Sequence, residues 1–135
     1  MTLEITKQSL EKWHQMVKSG DLSDLNYLLA EDVVFRSPVA YKPYEGKHVV
    51  FFILTNVVQV FEDFTYHREF YTEDGASVVL EFAANVSGKS LKGIDMIRFN
   101  QQGKIVEFEV MIRPMSGLAA LAEKMGARFA KYQPN

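Results

Sequence analysis

The chain has 135 residues, 47% of them hydrophobic and 24% charged, with a net charge of -2 and no cysteine. That length suits one domain over residues 1–135 with a sizeable core. The charge balance leaves no basic excess for nucleic acid or an anionic membrane surface, and without cysteine there are no disulfides, thiolate metal sites or cysteine nucleophile.

Met1 to Lys12 contains no apolar run of signal-peptide type. The longest apolar stretch, Val49 to Leu54, is too short to span a bilayer. Both absences point to a cytoplasmic protein. Thr6 to Lys18 reads as a helix, because Leu10, Trp13, Met16 and Val17 recur at helical spacing. Ser19-Gly20-Asp21 ends it, with Asp21 or Ser23 placed to cap the next turn. Leu22 to Leu29 is expected to be a short second helix, and Val33-Val34-Phe35 a short strand closed by Ser37-Pro38. Val39 to Gly46 has the turn chemistry of a loop.

Gly46 to Glu62 is a third helix, apolar nearly all round and therefore covered on most sides. The pattern then changes to period two. Strands are expected over Phe64 to Tyr71, Ser77 to Val86, Leu91 to Asn100 and Lys104 to Arg113, joined by short turns. Pro114 stops the last, and Leu118 to Tyr132 forms a closing helix. This order predicts an α+β fold in which a curved antiparallel sheet wraps around helices and leaves a cone open at one end.

The Asn100 to Gly103 turn suggests a register. With Gly103 as a bulge residue, Asn100 lies opposite Lys104, and counting outward puts Asp95 opposite Glu109. One face then carries Asp95, Ile97 and Phe99 with Ile105, Glu107, Glu109, Met111 and Arg113, which suits a cavity wall with a few polar groups. The other carries Ile94, Met96 and Arg98 with Val106, Phe108, Val110 and Ile112, nearly all apolar and best covered by a second copy of the chain. A slip of one residue would exchange the assignments.

Asp95 is the leading candidate for chemistry. A desolvated carboxylate in mid-strand gains proton affinity and can act as acid, base or neutral donor; an ion pair with Arg113 or Arg98 is the structural alternative. Glu81, also flanked by apolar residues, pairs with Asp95 for proton transfer or with the same arginines for folding. His67, on a strand near Glu69, is a further candidate for the cavity. Arg113 can bind an anionic ligand group or neutralise Glu81 or Glu109. Trp13, Phe35, Tyr41, Tyr44, Phe51, Phe64, Phe82 and Phe99 are expected mostly in the core, with some on a ligand-binding wall, a choice that composition leaves open; Trp13, Phe35, Tyr41, Phe51 and Phe99 are the candidates for that wall. His14, His48 and His67 lie at no metal-ligand spacing, so no metal is expected. No phosphate-binding glycine motif is present, and no cofactor is expected.

Trp13, Gly20-Asp21, Leu28-Leu29-Ala30-Glu31-Asp32-Val33, Gly46, Gly93-x-Asp95-x-x-Arg98-Phe99 and Gly103-Lys104-Ile105, in this order, resemble the nuclear transport factor 2-like superfamily. The nearest group is the SnoaL-like one that includes polyketide cyclases. The resemblance covers almost the whole chain and implies a cystatin-like cone, often a homodimer packed through its sheets. Phe35-Arg36-Ser37-Pro38-Val39 resembles the ketosteroid isomerase segment in which an Asp precedes Pro-Val; Ser37 stands at that base position and lacks its basicity. Ile94-Asp95-Met96-Ile97-Arg98-Phe99 resembles the isomerase strand whose protonated Asp donates to the oxyanion, the same carboxyl that serves as a standard example of a raised pKa. The isomerase's first-helix tyrosine has no match, because Trp13 and His14 stand there. The epoxide hydrolase of the superfamily needs an Arg-x-Asp strand, and Gly93-Ile94-Asp95 lacks the arginine.

Two functions are compatible with these residues. One is a cofactor-independent isomerase, cyclase or hydrolase acting on a small apolar compound by acid-base chemistry through Asp95, with Glu81 or His67 assisting. The alternative is a ligand-binding or dimerisation module without catalysis, and fold membership does not decide between them.

Overall fold

The computed structural model describes residues 2–130. The closing helix was expected to reach Tyr132, and its last residues lie outside that range. The first helix, α1, spans Thr2–Ser19. Its buried stripe of Thr6, Ser9, Leu10 and Trp13 has the spacing of a helix face. Gly20 ends it at φ +78°, donating its N–H to the Met16 carbonyl at 2.9 Å, a left-handed cap that glycine adopts without a Cβ clash. Asp21 Oδ1 then accepts the Ser23 N–H at 3.0 Å.

The expected second helix over Leu22 to Leu29 does not form. Only a 3₁₀ turn, Leu25–Tyr27, is present, and Leu29 already belongs to strand β1, Leu29–Arg36. Leu22, Leu25, Leu28 and Leu29 are all buried, so a turn followed by a strand satisfies the apolar pattern as well as a helix would. The expected loop contains a two-residue strand, β2, Tyr44–Glu45, paired antiparallel to β1. Helix α2 runs Lys47–Val60. Strands β3 (Glu62–Tyr71), β4 (Ser77–Val86), β5 (Lys89–Phe99) and β6 (Ile105–Arg113) form the expected meander, and α3, Met115–Ala130, closes the described chain.

The six strands lie in the order β2-β1-β6-β5-β4-β3. The sheet is mixed rather than wholly antiparallel, because β1 pairs with β6 in parallel. Register shifts interrupt the β1–β6, β3–β4 and β5–β6 ladders, and such bulges bend a sheet. The helices fill the concave side in two apolar clusters. One joins α1, β1 and α2 around Leu25, Val33, Phe35 and Phe108; the other joins α3 to β4 and β5 around Phe82, Leu91 and Leu121. Cystatin-like folds have this architecture of helices laid in a curved sheet. No helix of the described residues is long and apolar enough to cross a membrane.

The β5–β6 register corrects the expected faces. Asn100 does face Lys104, donating its N–H to that carbonyl at 2.8 Å. A bulge then intervenes: Phe99 pairs with Ile105 but Arg98 pairs with Glu107, which leaves Val106 over. From there every β6 residue is one position from expectation, and Asp95 stands opposite Val110, not Glu109. The concave face therefore holds Asp95, Ile97 and Phe99 with Phe108, Val110 and Ile112. Glu107, Glu109, Met111 and Arg113 share the convex face with Ile94, Met96 and Arg98, so that face is not nearly all apolar. Arg36 donates to Glu107 on it at 2.9 Å.

Candidate functional site

A cavity of about 320 Å³ opens within the concave side, a volume within the range of small-molecule sites. β3 contributes Phe64 and Tyr66, β5 contributes Asp95, and β6 contributes Phe108, Val110 and Ile112. Opposite them stand Trp13 and Val17 of α1, Phe35 of β1, Leu54 and Val57 of α2, and Leu121 of α3. The exposed Lys18, Ser19 and Gly20, at the end of α1, lie on the solvent side.

Period two brings Asp95 inward. It follows Gly93 and precedes Ile97 on the buried parity of β5, and it is 5% exposed. The Trp13 Nε1–H donates to the Tyr66 hydroxyl at 2.9 Å, and the Tyr66 O–H donates to Asp95 Oδ2 at 2.6 Å. This chain has one polarity. Tyr66 has a single proton, and because Trp13 can only donate, that proton points to Asp95. Aromatic edges hold the ring: Phe64 and His14 pack on Tyr66 with centroids 4.8 and 5.0 Å away, and Phe108 packs on Trp13 at 5.3 Å.

Burial raises the Asp95 pKa from 3.8 to about 7, and the Tyr66 hydrogen bond opposes part of that rise. The Tyr66 phenol is itself pushed well above its ordinary value, by burial first and then by the Asp95 charge. With Oδ2 occupied by Tyr66, a proton on Asp95 sits on Oδ1. The side chain thus offers the cavity a neutral donor below about pH 7 and an anionic acceptor above it.

The residues singled out in the sequence separate. Asp95, Trp13 and Phe35 meet at the cavity. Ser37 is beside it, but its Oγ accepts the Val39 and Ala40 N–H groups at 3.0 and 3.3 Å and so caps a turn. Phe99 is buried in the core, Phe51 packs half-buried against it, and neither lines the cavity. Tyr41 is fully exposed. Glu81 points to the convex face, where Arg68 grips it through two bonds of 2.8 and 2.7 Å and Lys92 approaches to 3.6 Å. The Arg68 hydrogen bonds hold its carboxyl down to about 2. Its cations are thus Arg68 and Lys92, not the expected Arg113 or Arg98, and it does not pair with Asp95. His67 is exposed on β3. Glu109 and Arg113 are on the convex side, away from the cavity, because the Val106 bulge reverses their parity. Among the described residues, no group of three His, Asp or Glu side chains stands together as a metal site.

Tyr66 is a site residue that its sequence context did not single out. A signal was there: Phe64 and Tyr66 alternate with Thr65 and His67, which puts two aromatics on one strand face.

The sequence pattern that defines the SnoaL-like domain matches residues 10–108. No curated protein matches the chain. Among solved structures, a steroid delta-isomerase from Pseudomonas aeruginosa is 57% identical, with a TM-score of 0.93 over 95% of this chain and 93% of that one. A protein with a cystatin-like fold from Silicibacter pomeroyi is 37% identical, with a TM-score of 0.84 over 90% of this chain and 85% of that one. An NTF2-like protein of unknown function from Mesorhizobium loti shares 18% identity at a TM-score of 0.75, over 84% and 95% of the two chains, a likeness of fold.

Proposed function

The chain belongs to the SnoaL-like domain family of the nuclear transport factor 2-like superfamily, and on that premise we propose that its cavity binds a small, largely apolar carbonyl compound and isomerises it by acid-base chemistry. The observation that carries this reading is Asp95, a buried carboxyl with a pKa near 7 on an otherwise apolar wall. In its neutral form Asp95 donates a hydrogen bond from Oδ1 to the carbonyl oxygen. The negative charge that develops there when a neighbouring C–H loses its proton is then stabilised in a site with few competing water molecules. The proton leaves to a base at the open Lys18–Gly20 side of the cavity, and its return at another carbon moves the double bond. The 57% identical steroid delta-isomerase supports the reaction class. Trp13 and Tyr66 keep the Asp95 proton on the cavity side.

The test uses β,γ-unsaturated ketones, whose conversion to conjugated enones is followed by ultraviolet absorbance. Asp95→Asn should lower kcat/KM by about 10²-fold or more, the scale of losing one oxyanion donor. Activity should be flat below about pH 7 and fall above it, because the neutral acid is the active form. An Asp95→Asn protein with full turnover sinks the proposal; a rate that rises through pH 7 makes Asp95 a base instead.

A second reading is ligand binding without turnover. Its support is specific: Ser37 Oγ is engaged by the turn, and besides Asp95 the ionisable side chains among the described residues that line the cavity are Lys18 and Tyr66, whose O–H is already donated to Asp95. Binding that quenches Trp13 fluorescence without enone formation would favour it.

The convex face fits a second copy of the chain. Phe70, Met96 and Met111 are exposed there, and Glu109 and Arg113 stand on the same face of one strand with no ion-pair partner among the described residues. An isologous contact can pair each with the other on the opposite copy.

A further inference from the structure

A second, smaller chamber of about 180 Å³ lies beside the first, between α2, α3 and residues 37–44. Phe35, Pro38, Val57 and Leu121 line both spaces, so a single layer of side chains divides them. Beyond that layer the walls are apolar, with Ile53, Ala122, Met125 and Phe129 facing Val39 and Ala40. Ser37, its main polar neighbour, is already engaged by the turn backbone. Apart from Ser37 and the Tyr44 hydroxyl at the edge of the chamber, its side chains are apolar, and none is charged.

The two glycines of α3 differ in what surrounds them. A Cβ on Gly117 would lie 2.7 Å from Leu91 Cβ and 3.0 Å from the Ser90 carbonyl, so close packing requires that glycine. A Cβ on Gly126 would meet nothing within 4 Å. Gly126 has no positive φ and sits inside a helix, where glycine is much less favourable than alanine. Neither packing nor backbone conformation accounts for it. Gly126 is exposed and lines the second chamber from its solvent side, so its missing side chain leaves that rim open.

We propose that the second chamber receives the apolar tail of an elongated ligand whose carbonyl end lies at Asp95, with Gly126 setting the length of tail that is accepted. This rests on the carbonyl reading of the first cavity. The tail crosses the layer of Phe35, Pro38, Val57 and Leu121 that borders both spaces.

The probes are straight-chain methyl ketones from hexanone to tetradecanone, with binding read from the fluorescence of Trp13, the single tryptophan. Each methylene that leaves water for an apolar wall should tighten binding about fourfold. In the wild type this gain should continue after the first cavity is full. In Gly126→Leu it should stop at shorter chains, and the ratio of long-chain to short-chain affinity should fall by about tenfold or more. Gly126→Ala adds one methyl group in open space and should shift the ratio in the same direction by less, which covers the case in which the leucine protein folds poorly. A wild-type gain that ends at the same length as in both variants overturns the tail chamber while leaving the carbonyl site standing. If no ketone of any length binds, both readings fall.

Discussion

Asp95 is held where water cannot stabilise its charge, and its pKa rise makes a stability prediction. Below about pH 4 the carboxyl is protonated in both folded and unfolded chains. Between there and pH 7 the unfolded chain ionises while the folded chain keeps the proton, so stability falls as pH rises through that window. Above it the loss is complete, and the rise from 3.8 to about 7 corresponds to about 4 kcal/mol. Asp95→Asn, which has no charge to bury, should therefore gain on the wild type between about pH 4 and 7 in urea titrations. A wild-type-to-variant difference that is the same at both ends of the window refutes the raised pKa. Tyr66→Phe acts in two ways. It leaves the Trp13 N–H buried without an acceptor, a loss of about 1–3 kcal/mol. It also removes the bond that lowers Asp95, so the falling limb of the activity profile should move to higher pH. An unmoved limb would separate Tyr66 from Asp95. At this scale the sequence disclosed Asp95 by a simple rule, a carboxylate between apolar neighbours on a strand. The same rule picked Glu81, which proved to be an ion-paired residue of the convex face, because flanking residues report the parity of a strand position and not which parity is buried.

At the scale of elements, β5 is the strand that fixes the site, and Gly93 fixes β5 against its neighbours. A Cβ there would lie 2.5 Å from the Met111 carbonyl and 2.6 Å from the Phe82 ring. Gly93→Ala should cost about 1–3 kcal/mol, the usual range for overpacking, seen as a lower denaturation midpoint. A midpoint unchanged from wild type would mean that β4 and β6 yield more easily than their packing implies. The β3–β6 meander was readable from period two and turn residues. The Val106 bulge was not, because β6 places apolar residues on both parities: Val106, Phe108, Val110 and Ile112 on one, Ile105 and Met111 on the other. The register is settled by which set the helices cover. The segment Leu22 to Leu29 misled for a related reason, since its apolar spacing fits a helix, whereas the parallel ladder to Ile105 claims Leu29 for the sheet.

For the whole molecule, the convex face makes the oligomer prediction. Sedimentation equilibrium at micromolar concentration should give a dimer, and Met96→Asp with Met111→Asp should dissociate it. A monomeric wild type would leave the exposed methionines and the Glu109–Arg113 pair without the partner inferred for them. The expected face was almost wholly apolar; the observed one mixes Met96 and Met111 with Glu107, Glu109, Arg98 and Arg113. A mixed face of this kind relies on charge complementarity to fix orientation.

By itself the sequence determined the α+β class, the order of the main helices and strands, the meander and the buried carboxyl at Asp95. These are written in local periodicity, in turn residues and in the burial preferences of single side chains. Tertiary structure decided the rest. The distance from Trp13 to Tyr66 to Asp95, the bulge that turns Glu109 and Arg113 outward, the parallel partner of β1 and the space left at Gly126 all depend on residues far apart in the chain. Such contacts are set by how the helices pack into the bent sheet, and no local pattern carries that information.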